Sequence, residues 1–392
     1  MARELEVMLL CARAKLSDAD RDRLNELLAA GIDWGDLLHR ARHHRLLPLV
    51  VHHLNAVATT RGDRDAIEPA RAEQRLILAR NMRLAAELRR LTELLRGAGI
   101  DSLSFKGPVL ALEAYESLAL RAFVDADLLI DAEHVERAHE ILSGEHYTPF
   151  FVLSPPWRER HRQRYHEMAY FHEDGVAAVD IHWRLIEPEY SFARPLEHVE
   201  ARRRSVDLDG VAISTLSRED QLFFLCLHAA KHQWKHLQWT ADVAELARRD
   251  HTTDWPAFAD MAASAGAARM VGVTFELARR LLGLPLHAAM AAMIDRDEAI
   301  APLARRVESS LVAARPTLPK GHAPPWRTFY YQSMASRRDR AWRVYDTLVR
   351  PTALEWRMAP LPRVLEPVHF LLRPARLATR AVARLLARGE TS

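Results

Sequence analysis

Two aspartates in a short apolar stretch, Asp125-Ala-Asp127-Leu-Leu-Ile, constrain the fold of this 392-residue chain more than any other feature. Alternate side chains of a β-strand point to opposite faces, so Asp125 and Asp127 share one face. The other face is apolar and predicted to be buried, with Val124, Ala126, Leu128 and Ile130. Two unneutralised carboxylates about 4 Å apart repel by roughly 4 kcal/mol at an effective dielectric constant of about 20. A fold that holds both aspartates on one strand therefore needs a cation, a basic side chain or a proton beside them.

A third acid has a similar setting further along the chain. Residues 167–172 and 176–183 are predicted strands, and the Asp-Gly pair between them is typical of a hairpin. On the second of these strands, Asp180 and His182 share a face. If this strand pairs with the strand of Asp127, three carboxylates converge, and such a set can bridge Mg²⁺ ions to a triphosphate in a two-metal site for phosphoryl transfer. The alternative is a pair of aspartates that faces water at the end of a strand.

Apolar periodicity divides the chain into four predicted regions. Residues 1–98 are helical, residues 99–216 form a small α/β unit, residues 217–310 are helical again, and residues 311–392 form a proline-containing, basic C-terminal segment. Within the α/β unit, the predicted strands cover residues 100–105, 123–131, 167–172, 176–183 and 211–215. The sequence therefore predicts an α+β fold, in which a small mixed-sheet core is flanked by N-terminal and C-terminal helical regions.

The composition excludes several other classes of protein. The chain has only 14 glycines and lacks the glycine-rich motifs of dinucleotide-binding folds and P-loop enzymes, and the Gly-x-Ser-x-Gly motif of α/β-hydrolases. Its two cysteines, Cys11 and Cys226, are too few for a disulfide framework or a cysteine-based metal cluster. No run of about 18 apolar residues provides a membrane-spanning helix, and residues 1–15 lack the features of a signal peptide. The predicted location is therefore the cytoplasm.

Several motifs occur in an order that is typical of one known family. A Lys-Gly turn is followed by a tyrosine, an arginine and the two aspartates, a second element has the form Asp-x-His-Trp, and a later helix carries spaced histidines. The residues that carry these motifs are Lys106, Gly107, Tyr115, Arg121, Asp125, Asp127, Asp180, His182, Trp183, His228, His232, Trp234, Leu237 and Asp242. In combination, they resemble the uncharacterised nucleotidyltransferase family of the polymerase-β-like superfamily.

The resemblance implies an enzyme built on a nucleotidyltransferase core. Its reaction would move a nucleotidyl group from an NTP such as ATP, with Mg²⁺ or Mn²⁺, to a hydroxyl- or phosphate-bearing acceptor, either a small molecule or a protein or peptide side chain. The resemblance makes Asp125, Asp127 and Asp180 the metal ligands and catalytic carboxylates, and Asp180 also helps to deprotonate the acceptor. The implied nucleotide and phosphate contacts are Lys106, Gly107 and Arg121. Arg121 suits an ion pair with an acid equally well.

Histidines of the later helix are candidates for the acceptor pocket. His228, His232 and His236 fall four residues apart and are predicted to share one helical face. Two histidines at this spacing can also bind a transition metal, and a polar stripe on a core-facing helix is the third interpretation. The predicted substrate-pocket residues are His182, His228, His232 and Asp242.

Basic residues are concentrated at the C-terminal end of the chain. Residues 301–392 have a net charge of +11, whereas the whole chain has a net charge of +3. Arginines recur at every fourth position beside an apolar stripe, at Arg376, Arg380, Arg384 and Arg388. This pattern predicts an amphipathic basic helix, which suits contact with an anionic membrane, a nucleic acid or another partner. The alternative is an ordinary helix that packs on the body of the protein and exposes its arginine face to solvent.

Two other functions stay open on the sequence. Pro108 follows Gly107 at the place where the superfamily has a serine, and it offers neither a hydroxyl nor an N–H group to a phosphate. This favours a catalytically weakened relative that binds nucleotide or a partner. The basic C-terminal segment favours an RNA-binding accessory protein, whose binding would weaken as the salt concentration rises.

Overall fold

The structure, a computed structural model, describes residues 2–57, 61–175, 177–193, 196–249, 252–313, 327–359 and 361–389. Helices predominate towards both ends of the chain, and the strands lie between residues 102 and 215. This arrangement confirms the predicted α+β fold class. The prolines at 316–325, in the basic C-terminal segment, lie outside the described residues. Within the described residues, no helix is both long enough and apolar enough to cross a bilayer.

The N-terminal region is helical because apolar residues recur at helical spacing and polar residues cap the helices. Its helices are α1 (Arg3–Cys11), α2 (Asp18–Ala29), α3 (Trp34–His43), α4 (Leu47–Val57) and α5 (Arg61–Gly97). Ser17 shows how a cap works: its hydroxyl accepts a hydrogen bond from the Asp20 amide, and the Asp20 carboxylate accepts one from the Ser17 amide. The chain turns away from α5 where Gly99 adopts the left-handed conformation.

A five-stranded mixed sheet is built from the middle of the chain. Its strands are β1 (Ser102–Ser104), β2 (Ala126–Ile130), β3 (Tyr147–Pro149), β4 (Glu167–His172) and β5 (Ala178–His182), in the spatial order β1-β2-β5-β4-β3. Strands β2 and β5 run parallel, and the other neighbouring pairs are antiparallel. The predicted hairpin is present as β4 and β5, whereas the short edge strand β3 has no counterpart among the predicted strands.

Helices connect the strands, and a separate two-stranded ribbon follows the sheet. The connecting helices are α6 (Gly107–Tyr115), α7 (Val135–Gly144), α8 (Pro155–Arg164) and α9 (Leu196–Glu200). The ribbon consists of β6 (Arg204–Leu208) and β7 (Val211–Thr215), which pair in antiparallel fashion. The sequence predicts only β7, because charged residues interrupt the apolar pattern of β6.

The second half of the chain is again helical. Its helices are α10 (Arg218–Lys231), α11 (Leu237–Arg249), α12 (Trp255–Ser264), α13 (Ala268–Leu282), α14 (Ala288–Asp295), α15 (Ile300–Val312), α16 (Phe329–Ser333), α17 (Arg337–Leu348), α18 (Ala353–Met358) and α19 (Glu366–Gly389). Ser217 caps α10 by accepting a hydrogen bond from the Asp220 amide. The last helix, α19, lies where the sequence predicts a basic amphipathic helix.

The sheet lies between two hydrophobic cores, and its register decides which side chains face each core. Ala126, Leu128 and Ile130 of β2 pack into one core with apolar residues of α5, α7 and β5. Leu129 belongs to the other core, which includes side chains from α1 to α15. Asp127 shares the face of Leu129, because side chains two residues apart lie on one side of a strand. The boundaries of the four predicted regions stay predictions.

Candidate active site

The two acidic strands lie next to each other in the sheet. Strands β2 and β5 pair in parallel, and their register places Asp127 opposite Asp180 and Leu129 opposite His182. The ligand atoms of Asp127, Asp180 and His182 lie within 4.8 Å of one another. The pairing on which the predicted convergence of carboxylates depends is therefore present.

Asp125 approaches this group from just outside the strand. It lies one residue before the first residue of β2, and its side chain lines the same cavity as Asp180 and His182. Its neighbour Val124 is 48% exposed. The prediction that Val124 belongs to the buried apolar face is therefore wrong, because the regular strand begins only at Ala126.

The Asp127 carboxylate is fully buried and has two polar neighbours. Its Oδ1 atom lies 2.5 Å from Nζ of Lys106 and 3.1 Å from Nε2 of His182. Burial alone would raise the pKa of Asp127, but the positive charge of Lys106 and the hydrogen bond with His182 outweigh burial and lower that pKa. Asp127 is therefore ionised at neutral pH.

The donor set fits a divalent cation of the Mg²⁺ class. The Oδ2 atom of Asp127 is buried and has no hydrogen-bond partner among the described residues. Such an orphaned oxygen is costly unless a ligand uses it. Mg²⁺ prefers carboxylate oxygens, and Asp125 and Asp180 supply more of them beside Asp127. The residues present are therefore suited to hold a metal ion.

The other two carboxyl groups do not ionise as readily as Asp127. Burial, followed by the negative charge of Asp127, raises the pKa of Asp180 to about 7. The same two causes, in the same order, raise the pKa of Asp125. In the metal-free protein, protons bound to these carboxyl groups therefore supply part of the positive charge that the three acids need beside them.

We expect Asp180→Asn to stabilise the metal-free protein at about pH 8, by roughly 1–2 kcal/mol, because one pKa unit corresponds to about 1.4 kcal/mol and water in the cavity screens part of the shift. The folded protein retains the Asp180 proton up to about pH 7, whereas an unfolded chain loses it near pH 4. The stability that this proton confers on the wild type is present below about pH 4 and is lost as the pH rises towards about 7. The difference between variant and wild type should therefore grow over that range.

Urea denaturation in the presence of a chelator measures this difference. Asp101→Asn is the matched control, since the Asp101 side chain is 72% exposed and its removal should change stability by less than about 0.5 kcal/mol. Equal stability of Asp180→Asn and wild type across the whole pH range would contradict the expected pKa.

The Lys-Gly turn packs directly on the backbone of Asp125. Gly107 has a φ angle of +54°, a backbone conformation that residues with a side chain rarely adopt. A Cβ atom at Gly107 would lie 2.9 Å from the carbonyl oxygen of Asp125. The glycine thus permits the close contact through which the first turn of α6 supports Asp125.

We expect Gly107→Ala to lower the free energy of unfolding by about 2–3 kcal/mol and to impair the site, because strain and a backbone clash act together. Gly99→Ala is the matched control: Gly99 also has a positive φ angle, but a Cβ atom there meets nothing within 4 Å. The control should lose only about 1 kcal/mol. Equal losses for the two variants would show that the contact with Asp125 does not matter.

Most of the predicted site residues line one cavity of about 340 Å³. They are Lys106, Gly107, Arg121, Asp125, Asp180, His182, His228 and His232. Three of the five lysines in the chain line this cavity, namely Lys106, Lys231 and Lys235, together with Arg45. Positive charge concentrated in a pocket attracts phosphates. Asp127 lies behind the wall of the cavity, with no exposed surface.

Arg121 and Asp242 form a buried ion pair. Nε and Nη2 of Arg121 lie 2.9 and 3.0 Å from the two carboxylate oxygens of Asp242, and the Tyr115 hydroxyl donates a third hydrogen bond to Asp242 at 2.9 Å. Of the two interpretations of Arg121, the ion pair is therefore the one present here, and a phosphate contact stays a prediction. Asp242 does not line the cavity but fixes Arg121, four residues before Asp125.

The sequence analysis missed a group of titratable residues at the start of β4. The Glu167 carboxylate lies 3.4 Å from Nε2 of His182 and 3.5 Å from Nε2 of His166. Nζ of Lys231 lies 3.0 Å from the same nitrogen of His166. Only the register of β4 against β5, which places Glu167 opposite His182, could have indicated this group.

The three spaced histidines do not share a helical face. Helix α10 ends at Lys231, and Gln233 and Trp234 have positive φ angles that turn the chain. The prediction is therefore wrong for His236, whose Nδ1 atom lies 2.6 Å from the carbonyl oxygen of His43. The rings of His228 and His232, 4.6 Å apart, both line the cavity.

Their environment keeps His228 and His232 neutral. Burial, followed by the charges of nearby lysines, lowers the pKa of His232 to about 3 and the pKa of His228 well below its usual value. Both rings pack against Trp239. A neutral imidazole can still donate one hydrogen bond to a ligand in the cavity and accept another.

Comparison with known proteins places these features in a family. The sequence profile of a family described as uncharacterised nucleotidyltransferase matches residues 30–283, well over half of the chain. The match includes the Lys-Gly turn, both acidic strands and helix α10. No curated protein matches the chain. The chain belongs to the uncharacterised nucleotidyltransferase family.

Proposed function

We propose that this protein transfers a nucleotidyl group from a nucleoside triphosphate to a hydroxyl- or phosphate-bearing acceptor. The observation that carries the proposal is the register of β2 and β5, which sets Asp127 opposite Asp180 beside a lysine-lined cavity. Nucleotidyl transfer requires carboxylates that can bind a metal ion and, next to them, positively charged side chains that can bind the phosphates. The family match supports the same class of reaction.

Asp125, Asp127 and Asp180 would hold a divalent cation, which we propose is Mg²⁺ or Mn²⁺. When bound, the cation supplies positive charge that stabilises the phosphate oxygens during transfer. The buried Oδ2 atom of Asp127 supports this assignment, because no side chain in the described part of the chain hydrogen-bonds to it.

Lys106 is our proposed phosphate ligand closest to the carboxylates. Its ammonium group contacts Asp127 and lies 5.7 Å from the centre of the Phe105 ring, so it is held at the cavity wall. From there it can donate a charge-assisted hydrogen bond to a phosphate oxygen. Lys231 and Lys235 line the same cavity and suit the outer phosphates of the triphosphate.

Asp125 and Asp180 also face a second space. This space, the acceptor groove, is an open groove of about 870 Å³ between α5 and strands β4 and β5, lined by Leu76, Arg80 and Phe171 among others. Both aspartates line the groove as well as the cavity. The nucleotide then occupies the cavity, the acceptor approaches through the groove, and the reactants meet at the carboxylates.

In the proposed reaction, the acceptor oxygen forms a bond to the α-phosphorus while the bond from that phosphorus to the bridging β-phosphate oxygen breaks. Pyrophosphate leaves with the electron pair of that bond. Asp180 accepts the proton of the acceptor hydroxyl, since its carboxylate lies where the groove and the cavity meet. Lys106 faces the charge that develops on the phosphates.

A second candidate function is nucleotide binding without transfer. Pro108 favours it, because this residue occupies the first turn of α6 and offers no N–H or hydroxyl group to a phosphate. The same cavity and the same lysines would then hold the nucleotide, and the two candidates differ only in turnover.

Pyrophosphate release tests the proposal. The protein is incubated with Mg²⁺ and ATP, GTP, CTP or UTP, with a host lysate as the source of acceptor, beside an Asp125→Ala/Asp127→Ala variant, while nucleotide binding is followed in parallel. Release by the wild type alone supports transfer. Binding without release, with lysate present, supports the second candidate. If the folded protein shows neither nucleotide binding nor pyrophosphate release, both candidate functions are overturned.

A further inference from the structure

Two exposed cations share one aromatic ring at the open end of the candidate active site. The guanidinium carbon of Arg45 lies 6.0 Å from the centre of the Trp239 ring, and Nζ of Lys235 lies 5.9 Å from it. All three residues line the cavity, and Arg45 and Lys235 are exposed. Among the described residues, neither of these two side chains pairs with a carboxylate. Arg45 and Lys235, the mouth cations, are therefore free to attract an anionic ligand.

Arg45 occupies a backbone position that favours glycine. Its φ angle is 60°, in the left-handed region, and its amide donates to the carbonyl oxygen of Arg42 in the turn between α3 and α4. A glycine would adopt this conformation without steric cost, so the turn itself gives no reason for an arginine. Strained backbone positions of this kind cluster at functional sites. What this position provides is a positively charged side chain in the cavity wall.

A third cation adds to the positive charge near the mouth. Arg80 lines the acceptor groove, and its buried Nε atom has no hydrogen-bond partner among the described residues. Burial, followed by the charge of Arg45, lowers the pKa of Arg80, and the charge of Asp125 offsets this only in part. The carboxylates of the protein therefore do not neutralise the positive charge at this end of the cavity.

One wall of the cavity leads from the carboxylates to the mouth cations. Nζ of Lys106 lies 5.8 Å from the centre of the Phe224 ring, and that ring lies 5.9 Å from the ring of His228. The rings of His228 and His232 lie 5.4 and 5.0 Å from that of Trp239. The two neutral histidines can each donate a hydrogen bond to a phosphate oxygen. A chain of phosphates can therefore lie along this wall.

Other parts of the cavity lining are apolar. Leu185, Ile186 and Phe192 follow β5 in the chain, and Tyr330 comes from α16. Apolar and aromatic side chains of this kind are typical of the part of a pocket that holds a flat, apolar group such as a nucleobase. The base then occupies the apolar part of the cavity, and the charged wall is left for the phosphates.

We propose that Arg45 and Lys235 bind the terminal phosphates of the nucleoside triphosphate, while the α-phosphate lies beside Lys106 and the carboxylates. An arginine can donate two parallel hydrogen bonds to a phosphate, and a lysine supplies a compact charge. This inference rests on the proposed function and deepens it. It makes the mouth cations the residues that distinguish a triphosphate from a shorter nucleotide.

Calorimetric titration in the presence of Mg²⁺ tests this inference. The probes are the nucleoside triphosphate that the wild type binds best among ATP, GTP, CTP and UTP, and the monophosphate of the same base. Arg45→Gly should weaken binding of the triphosphate by about tenfold or more, because charge-assisted hydrogen bonds to phosphate are lost. Binding of the monophosphate, whose phosphate lies at Lys106, should weaken by less than about twofold. Lys235→Ala should show the same difference.

Two controls separate ligand binding from folding and from overall charge. Arg45→Gly should unfold at about the melting temperature of the wild type, since relief of strain offsets the greater freedom of glycine in the unfolded chain. Arg305→Ala removes the same charge from α15, where Arg305 is exposed and does not line the cavity. This variant should bind both nucleotides within about twofold of the wild type.

Two results would overturn the inference while leaving the proposed function intact. Unchanged triphosphate binding by folded Arg45→Gly and Lys235→Ala would show that the mouth cations do not contact the nucleotide. A loss of transfer to phosphate-bearing acceptors in these variants would then assign the mouth cations to the acceptor. Equal losses for the triphosphate and the monophosphate would place the contact away from the terminal phosphates. If the folded wild type binds no nucleotide, the proposed function is overturned together with this inference.

Discussion

Asp127→Asn should reduce nucleotidyl transfer by at least about 1,000-fold, equivalent to about 4 kcal/mol of transition-state stabilisation. Asparagine keeps the shape of the side chain but removes the negative charge that faces Lys106 and would bind the metal. The charge matters because Asp127 is the carboxylate whose pKa is lowered, whereas burial and the charge of Asp127 raise the pKa values of Asp125 and Asp180. The expected loss appears as a fall in the rate of pyrophosphate release at saturating nucleotide.

Asp131→Asn is the control for this prediction. Asp131 follows the other end of β2, is exposed, and caps a short helical turn, which asparagine can also do. Its variant should retain nearly full activity. A far-UV circular dichroism melt of each variant separates loss of chemistry from loss of fold. Full activity of folded Asp127→Asn would contradict the assignment of the metal site.

Asp242→Ala should lower the free energy of unfolding by about 3–5 kcal/mol, because removing one partner of a buried ion pair leaves the other charge uncompensated. The Arg121 side chain is only 7% exposed, and its guanidinium group would lose both hydrogen bonds to Asp242. The Tyr115 hydroxyl would also lose its acceptor. Urea denaturation measures the loss.

Two further variants show whether the ion pair is the cause. Glu308→Ala removes a partly exposed pair with Arg280 and should cost less than about 1 kcal/mol. The double variant Arg121→Met/Asp242→Leu removes both charges and should recover part of the loss, since no unpaired charge then remains. A loss below about 1 kcal/mol for Asp242→Ala would contradict the structural role of this pair.

The face on which each aspartate lies could be predicted, because the alternation of side chains along a strand is a local rule that Asp127 and Asp180 both follow. No local pattern predicts that the two strands pair, and it is the parallel register of β2 and β5 that brings Asp127 opposite Asp180. The position of Asp125 could not be predicted in the same way. The loop before it is fixed by contacts from distant residues: Asn81 donates to the carbonyl oxygen of Arg121, and Gln238 donates to that of Ala122. A local pattern contains no information about such partners.

Other parts of the site depend on how elements meet in space. Lys231 belongs to α10 and His166 lies just before β4, and only the packed structure brings Nζ of Lys231 within 3.0 Å of Nε2 of His166. The prediction that His236 continues the face of His228 and His232 is wrong for a similar reason. Two residues with positive φ angles turn the chain before His236, so the helix that the histidine spacing implies does not reach it. The sequence does, however, single out Lys231 and Lys235 in one respect: lysine is rare in a chain that otherwise uses arginine.

Transfer of labelled phosphate tests the central claim most directly. The protein is incubated with Mg²⁺, a host lysate and nucleoside triphosphates labelled at either the α- or the γ-phosphate. Nucleotidyl transfer predicts that the α-label, but not the γ-label, becomes attached to an acceptor, and that Asp127→Asn abolishes this attachment while Asp131→Asn does not. Attachment of the γ-label, or attachment of the α-label by folded Asp127→Asn at the wild-type rate, would contradict the proposed reaction at these carboxylates.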